Sequence, residues 1–233
     1  MGPQLRFGVI GEAWRLYRRH WWTWSTAMLI VMIAEAILGS LLFEAFGMRW
    51  PGHHGGFRLP IVPHLSALAY VGTVAVICIG IGGMIRMASR QVLTGEVRIE
   101  DLFSVVDVGF QLLAGAIFYA AATFLGAMFC VVPGAIASGL LMFTLPLIVI
   151  ARRPATEAVS ESWRALAPQW LAATVFHLVL GVVAGIGSAI CGIGLLVTGP
   201  LYSLSIAILF HEFYEPTRPA FRKKPPIDPF PGF

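Results

Sequence analysis

The sequence predicts an all-α, polytopic membrane protein with six transmembrane helices and both termini in the cytoplasm. Three observations predict it. Of 233 residues, 58% are hydrophobic and only 12% are charged. Soluble domains carry about 25% charged residues, so this chain cannot dress a globular surface for water. Six nearly uncharged runs, each long enough to cross a hydrocarbon core of about 30 Å, follow one another. All sixteen Lys and Arg residues except Arg49 and Arg58 fall in segments on one side of those runs. Basic segments stay cytoplasmic, so a sequence pI near 9.3 is a topology signal and not a sign of nucleic-acid binding.

The six runs are Trp21–Phe43, Leu65–Ile85, Phe110–Val132, Pro133–Ala151, Trp170–Cys191 and Gly192–Phe210. Backbone polar groups must pair internally in lipid, which demands helices. A barrel would need segments of alternating polarity, and these runs do not alternate. The first run is too long for a signal-peptide core and reads as a retained helix. Met1-Gly2 is followed by Arg6, not Ser or Thr, which excludes a myristoylation signal.

A threefold echo organises the chain. Glu12-Ala13-Trp14-Arg15 returns as Glu161-Ser162-Trp163-Arg164, and Trp21 returns as Trp170 at the same spacing. A third copy places Asp101, Phe103 and Phe110 at these positions, with Ile10, Ile99 and Val159 and then Tyr17, Val106 and Leu166 also in register. Ile10, Trp14, Tyr17 and Trp21 form one stripe of a helix, which Phe7 extends. Each copy thus reads as an amphipathic helix lying in the interface, with aromatic anchors at headgroup level. The anchors are Trp14, Trp21, Phe103, Phe110, Trp163 and Trp170. The chain then bends into the membrane at Arg19-His20, Val108-Gly109 or Pro168-Gln169.

Three repeat units follow, at 5–90, 95–151 and 154–214. Each holds an interfacial helix and a transmembrane hairpin. The outer turn is tight at Val131–Gly134 and Cys191–Gly194 and long from Glu44 to His64. A tail over 215–233 with six prolines reads as extended chain.

These motifs carry a resemblance. Gly82-Gly83-Met84-Ile85-Arg86-Met87-Ala88-Ser89-Arg90-Gln91, Thr94-Gly95-Glu96 and Asp101-Leu102-Phe103 resemble a family of six-helix bacterial integral membrane proteins without a settled activity. So do Val132-Pro133-Gly134, Phe143, Leu145-Pro146-Leu147-Ile148-Val149, Glu157-Ala158 and Ser162-Trp163. A similar unit is fused to some glycerophosphodiester phosphodiesterases. The resemblance implies a bacterial inner-membrane location and covers most of residues 8–214. The chain has no room for a phosphodiesterase barrel of about 250 residues, so that activity is not implied.

Candidate sites are few. Glu35 lies roughly 21 Å along its helix from Trp21, and His177 roughly 10 Å from Trp170. Ionisable groups at such depth are functional candidates by default. Their depths differ too much for a direct pair, so each is expected on a neighbouring carbonyl or hydroxyl. Arg86 and Arg90 share one helix face. Together with the recurring acids Glu12, Asp101 and Glu161 they form either a lipid-phosphate site or, as preferred, an ion-pair clamp. Some of the acids are expected to pair with Arg15, Arg86, Arg90 or Arg164. Gly80, Gly82, Gly83 and the pair Gly181 and Gly185 are expected to permit close internal helix packing.

His53, His54 and His64 lack the Cys or acidic residues that would complete a metal site. Cys130 and Cys191 reach equivalent outer positions, as a disulfide or as two buried thiols. No metal, cofactor or catalytic constellation is expected. The reading is a non-catalytic membrane protein organising lipids or a partner complex, either another membrane protein or a second copy. The alternative is a transporter or lipid-handling permease built on Glu35, His177 and helices broken at Pro146 and Pro200.

Overall fold

The computed structural model describes residues 5–45, 63–129, 131–189 and 193–214. Helices and their turns make up the described chain, without strands. Helix α1 (Val9–Arg19) ends at His20, whose φ of −131° breaks the ladder, and α2 (Trp21–Ala45) starts at the next residue. Helix α3 (Pro63–Thr94) runs well past its apolar stretch and stops at Gly95, φ +79°. Then come α4 (Glu100–Phe103), a 3-10 turn over Val106–Val108 and α5 (Gly109–Phe129). Helices α6 (Val131–Leu140) and α7 (Thr144–Val149) are followed by α8 (Ala155–Leu166) and a 3-10 turn over Ala167–Gln169. Last come α9 (Trp170–Ala189) and α10 (Leu195–Tyr214). Four stretches are long and apolar enough to cross a membrane: Glu100–Phe129, Val131–Val149, Ala155–Gly187 and Leu195–Tyr214.

Three departures from the sequence reading have local causes. In α1 the inward face is Val9, Ala13, Leu16 and Tyr17, while Trp14 and Trp21 stay exposed and Ile10 is half-buried. Ala13 lets the helix press on the bundle, Tyr17 points inward with it, and the two tryptophans turn outward. The second interfacial helix is a single turn. Ser104 Oγ donates to the Asp101 carbonyl at 2.8 Å, which competes with the helical ladder, and the β-branched Val105, Val106 and Val108 do not restore it.

The third departure is in the run Pro133–Ala151, read as one span with a break at Pro146, because the break falls ahead of that proline. The run is interrupted between α6 and α7. Pro146 lacks the N–H that would bond to the Met142 carbonyl, which removes one rung of the ladder there. Ser162 of α8 fills the gap. Its hydroxyl donates to the Leu140 carbonyl at 2.7 Å and accepts from the Phe143 N–H at 3.2 Å. Buried backbone groups freed by the break are thereby satisfied. Pro200 behaves differently. Helix α10 continues through it, so the expected break there does not occur.

The packed centre consists of α3 and α10. Helix α10 lies against α1, α2, α3 and α9, while α3 also touches α4, α5 and α7. At Gly83 a Cβ would sit 2.2 Å from the Leu102 carbonyl oxygen, so α3 meets α4 backbone to backbone only because glycine is there. Gly181 and Gly185 do not serve internal packing as expected. A Cβ at either would meet nothing within 4 Å, and Gly181 is exposed.

Candidate functional site

The polar groups gather where α2, α5 and α9 begin and α3 and α10 end. Arg90, in the last turns of α3, places Nε 2.6 Å from Asp101 Oδ2 on α4. Asp101 is buried and Arg90 is partly exposed. One turn earlier Arg86 donates to the Ser104 carbonyl at 3.0 Å. The two arginines therefore grip one short segment, as residues four apart on a helix can.

Beside this grip lies a cavity of about 570 Å³, lined by Thr23 of α2, Arg90, Val97, Arg98, Glu100 and Asp101 among others. Arg98 also pairs with Glu96 at 3.1 Å.

The other recurring acids find bases outside the expected set. Glu12 lies 3.7 Å from Arg6, and Arg6 also bonds Glu212 at the end of α10. That bond to Glu212 holds the Arg6 guanidinium above its ordinary pKa. Glu161 lies 3.7 Å from Arg153. Arg15 and Arg164 are exposed on the outer side of their helices. All three acids thus tie separate stretches of chain together, but only Asp101 uses an arginine expected from the sequence. Arg152, in the left-handed region at φ +57°, bonds Asp107 across the α5 entrance.

Deeper, α3 carries a polar layer that the sequence reading passed over. Gln91 accepts from Trp24 Nε1 at 2.8 Å and donates to the Leu16 carbonyl at 2.9 Å. Ser89 Oγ and His211 Nε2 are 2.9 Å apart, both buried. A signal for Gln91 existed. An indole donor in an apolar helix needs an acceptor, and a side-chain amide can accept and donate at once.

In the membrane-spanning part, His177 Nε2 lies 3.2 Å from the Tyr119 hydroxyl, with the Tyr202 ring 6.1 Å away. Its buried Nδ1 has no hydrogen-bond partner. Glu35 sits partly exposed on α2, and among the described residues no hydrogen bond or ion pair joins it to His177.

The aromatic anchors Trp14, Trp21, Phe103, Phe110, Trp163 and Trp170 are all exposed, Phe110 most at 80%. Among the described residues no group of three His, Cys, Asp or Glu could hold a metal ion. His53, His54, Cys130 and Cys191 and the side chain of His64 lie outside the described residues. Cys78 is a buried free thiol.

The arrangement offers a pocket of fixed, mixed charge at the edge of an apolar bundle, framed by exposed aromatics. No protein-family model matches the chain, and no curated protein or solved structure matches it significantly.

Proposed function

We propose that this is a non-catalytic integral membrane protein of the bacterial inner membrane that organises lipids, or a partner complex, at the cytoplasmic face. The observation that carries this reading is the mixed-charge cavity at Arg90 and Asp101, set among exposed aromatic anchors at the Arg-rich end. Charge at headgroup depth attracts lipid headgroups or polar segments of a partner.

The reading includes six spans in three repeats, with α2 and α3 as the first hairpin. Their lengths of 25 and 32 residues support it, as does the excess of basic residues at one end, which belongs in the cytoplasm. The repeat draws support from burial as well. Ala13, Leu102 and Ser162 occupy the same place in the three copies, and all are buried. The two tight hairpins close alike. A Cβ at Gly134 would lie 2.9 Å from the Thr123 carbonyl oxygen, and one at Gly194 would lie 2.5 Å from the Gly187 carbonyl oxygen. The resemblance to six-helix bacterial membrane proteins points the same way.

Native mass spectrometry of the full chain from mild detergent tests the function. The expected result is a retained phospholipid or a stoichiometric protein partner. A bare monomer under conditions that keep the fold intact overturns the reading.

A further inference from the structure

We infer that the cavity between α2, the end of α3 and α4 binds a zwitterionic amine-bearing phosphodiester headgroup, that of phosphatidylethanolamine. This rests on the lipid-organising reading above and names its ligand.

The charges facing the cavity are two arginines, Arg90 and Arg98, and two carboxylates, Glu100 and Asp101. They sum to zero. A purely anionic headgroup would bring an unbalanced negative charge beside two carboxylates, one of them buried. A choline group carries a positive charge but no N–H, and a glycerol group carries no charge, so neither gives those carboxylates a charge-assisted hydrogen bond. A phosphodiester joined to a primary ammonium offers one partner to each sign. Guanidinium groups match phosphate oxygens in planar, two-point contacts, and an ammonium donates up to three charge-assisted hydrogen bonds.

Arg90 is held in place for this role. Its Nε lies 2.6 Å from Asp101 Oδ2 as an ion pair, while that buried oxygen accepts no hydrogen bond among the described residues, so a donor from a ligand would find it unsatisfied. Glu100 is exposed and makes no ion pair among the described residues, so its carboxylate is available to an ammonium.

The depth also fits a lipid. Thr23 on the cavity wall follows Trp21 and Trp22, which are 53% and 70% exposed at the start of an apolar helix. Exposed tryptophans at such a place lie at headgroup level. A headgroup entering there keeps its acyl chains beside α2 and in lipid. A soluble amine phosphate shares the same chemistry, and the test separates the two sources.

The full-length protein is placed in nanodiscs containing equal phosphatidylethanolamine and phosphatidylglycerol, and the lipids retained on release are weighed by native mass spectrometry. The expected preference for phosphatidylethanolamine is about tenfold, the size of one charge-assisted hydrogen bond. Glu100→Gln should remove the preference, by lowering phosphatidylethanolamine retention and raising that of phosphatidylglycerol. Arg98→Ala should weaken retention of both lipids. Both side chains are exposed, so the fold should persist in each variant.

Equal retention of the two lipids by the wild type, or a preference untouched by both variants, overturns the site while leaving lipid organisation standing. Displacement of the lipid by millimolar phosphoethanolamine overturns the lipid as ligand in favour of the soluble compound. Retention of no lipid and no partner at all defeats the broader reading instead.

Discussion

Helices α5 and α10 are nearly equal in length, and both are apolar enough to span a membrane, yet their surroundings are opposite. In the stretch containing α5 only 11% of the spanning window is buried, against 61% in α10. The exposed helix is the more uniformly apolar one. It turns Phe118, Phe124, Leu125, Met128 and Phe129 outward. The buried helix carries Ser203, Ser205 and His211. In water the ordering would be reversed. In lipid the surroundings are as apolar as the core, so apolarity no longer distinguishes inside from outside. Interior positions are set instead by close contact and, at His211, by a hydrogen bond to Ser89 that lipid cannot supply.

The strongest way to break this contrast is a methyl group where backbones touch. Gly83→Ala should cost about 3 kcal/mol, because the new Cβ meets a carbonyl oxygen and not a movable side chain. Gly181→Ala, with nothing within 4 Å, should be neutral or slightly stabilising through helix propensity. Reversible unfolding in mixed micelles compares the two, and equal effects would contradict the assigned faces.

Next comes truncation of aromatics. Phe143, fully buried against Phe210, Phe213 and Tyr214, should cost about 3 kcal/mol as Ala, at the low end for buried Phe because lipid solvates the unfolded chain too. Phe129→Ala, at an 89% exposed site, should be close to neutral in the same assay.

Loss of an interior hydrogen bond should be smaller. Gln91→Leu strands the Trp24 indole N–H and the Leu16 carbonyl, for a loss of about 2 kcal/mol. Tryptophan fluorescence provides a second readout, since Trp24 is the indole whose partner disappears. A variant as stable as wild type with an unshifted spectrum would show that this layer does not hold α1, α2 and α3 together.

The smallest effects belong to the ion pairs, and they should separate by burial. Asp101→Asn leaves Arg90 half-buried without its counter-charge and should cost about 1 kcal/mol. Asp107→Asn, at a pair exposed on both sides, should leave stability close to that of the wild type. Thermal unfolding of both variants at low and high salt makes the comparison, and a larger salt effect on the Asp101 pair than on the Asp107 pair would contradict it.

Much of the candidate site was legible before any coordinates. Arg86 and Arg90 share a face because their spacing is that of a helical turn, and Asp101 was one of three acids marked by recurrence. What the sequence could not show was which acid meets which base. Glu12 and Glu161 have an arginine three residues along their own helix, but they pair with Arg6 and Arg153, supplied by neighbouring segments. Sequence spacing describes neighbours on one helix only. The cavity was equally illegible, since its walls come from α2, α3 and α4 at once.

By itself, the sequence determined that the chain is helical, where its apolar lengths begin and end, and at which end its charges collect. Those follow from local chemistry, because the length of a run and the position of an arginine are properties of the chain alone. The tertiary structure decided the rest. It turned the tryptophan side of α1 outward, broke the fourth apolar run ahead of Pro146 while letting α10 pass Pro200, and brought Ser162 to the break. The reason is physical. Backbone groups freed in an apolar setting need partners, here Ser162 from another helix, and which segment arrives at a break is a property of the packed bundle.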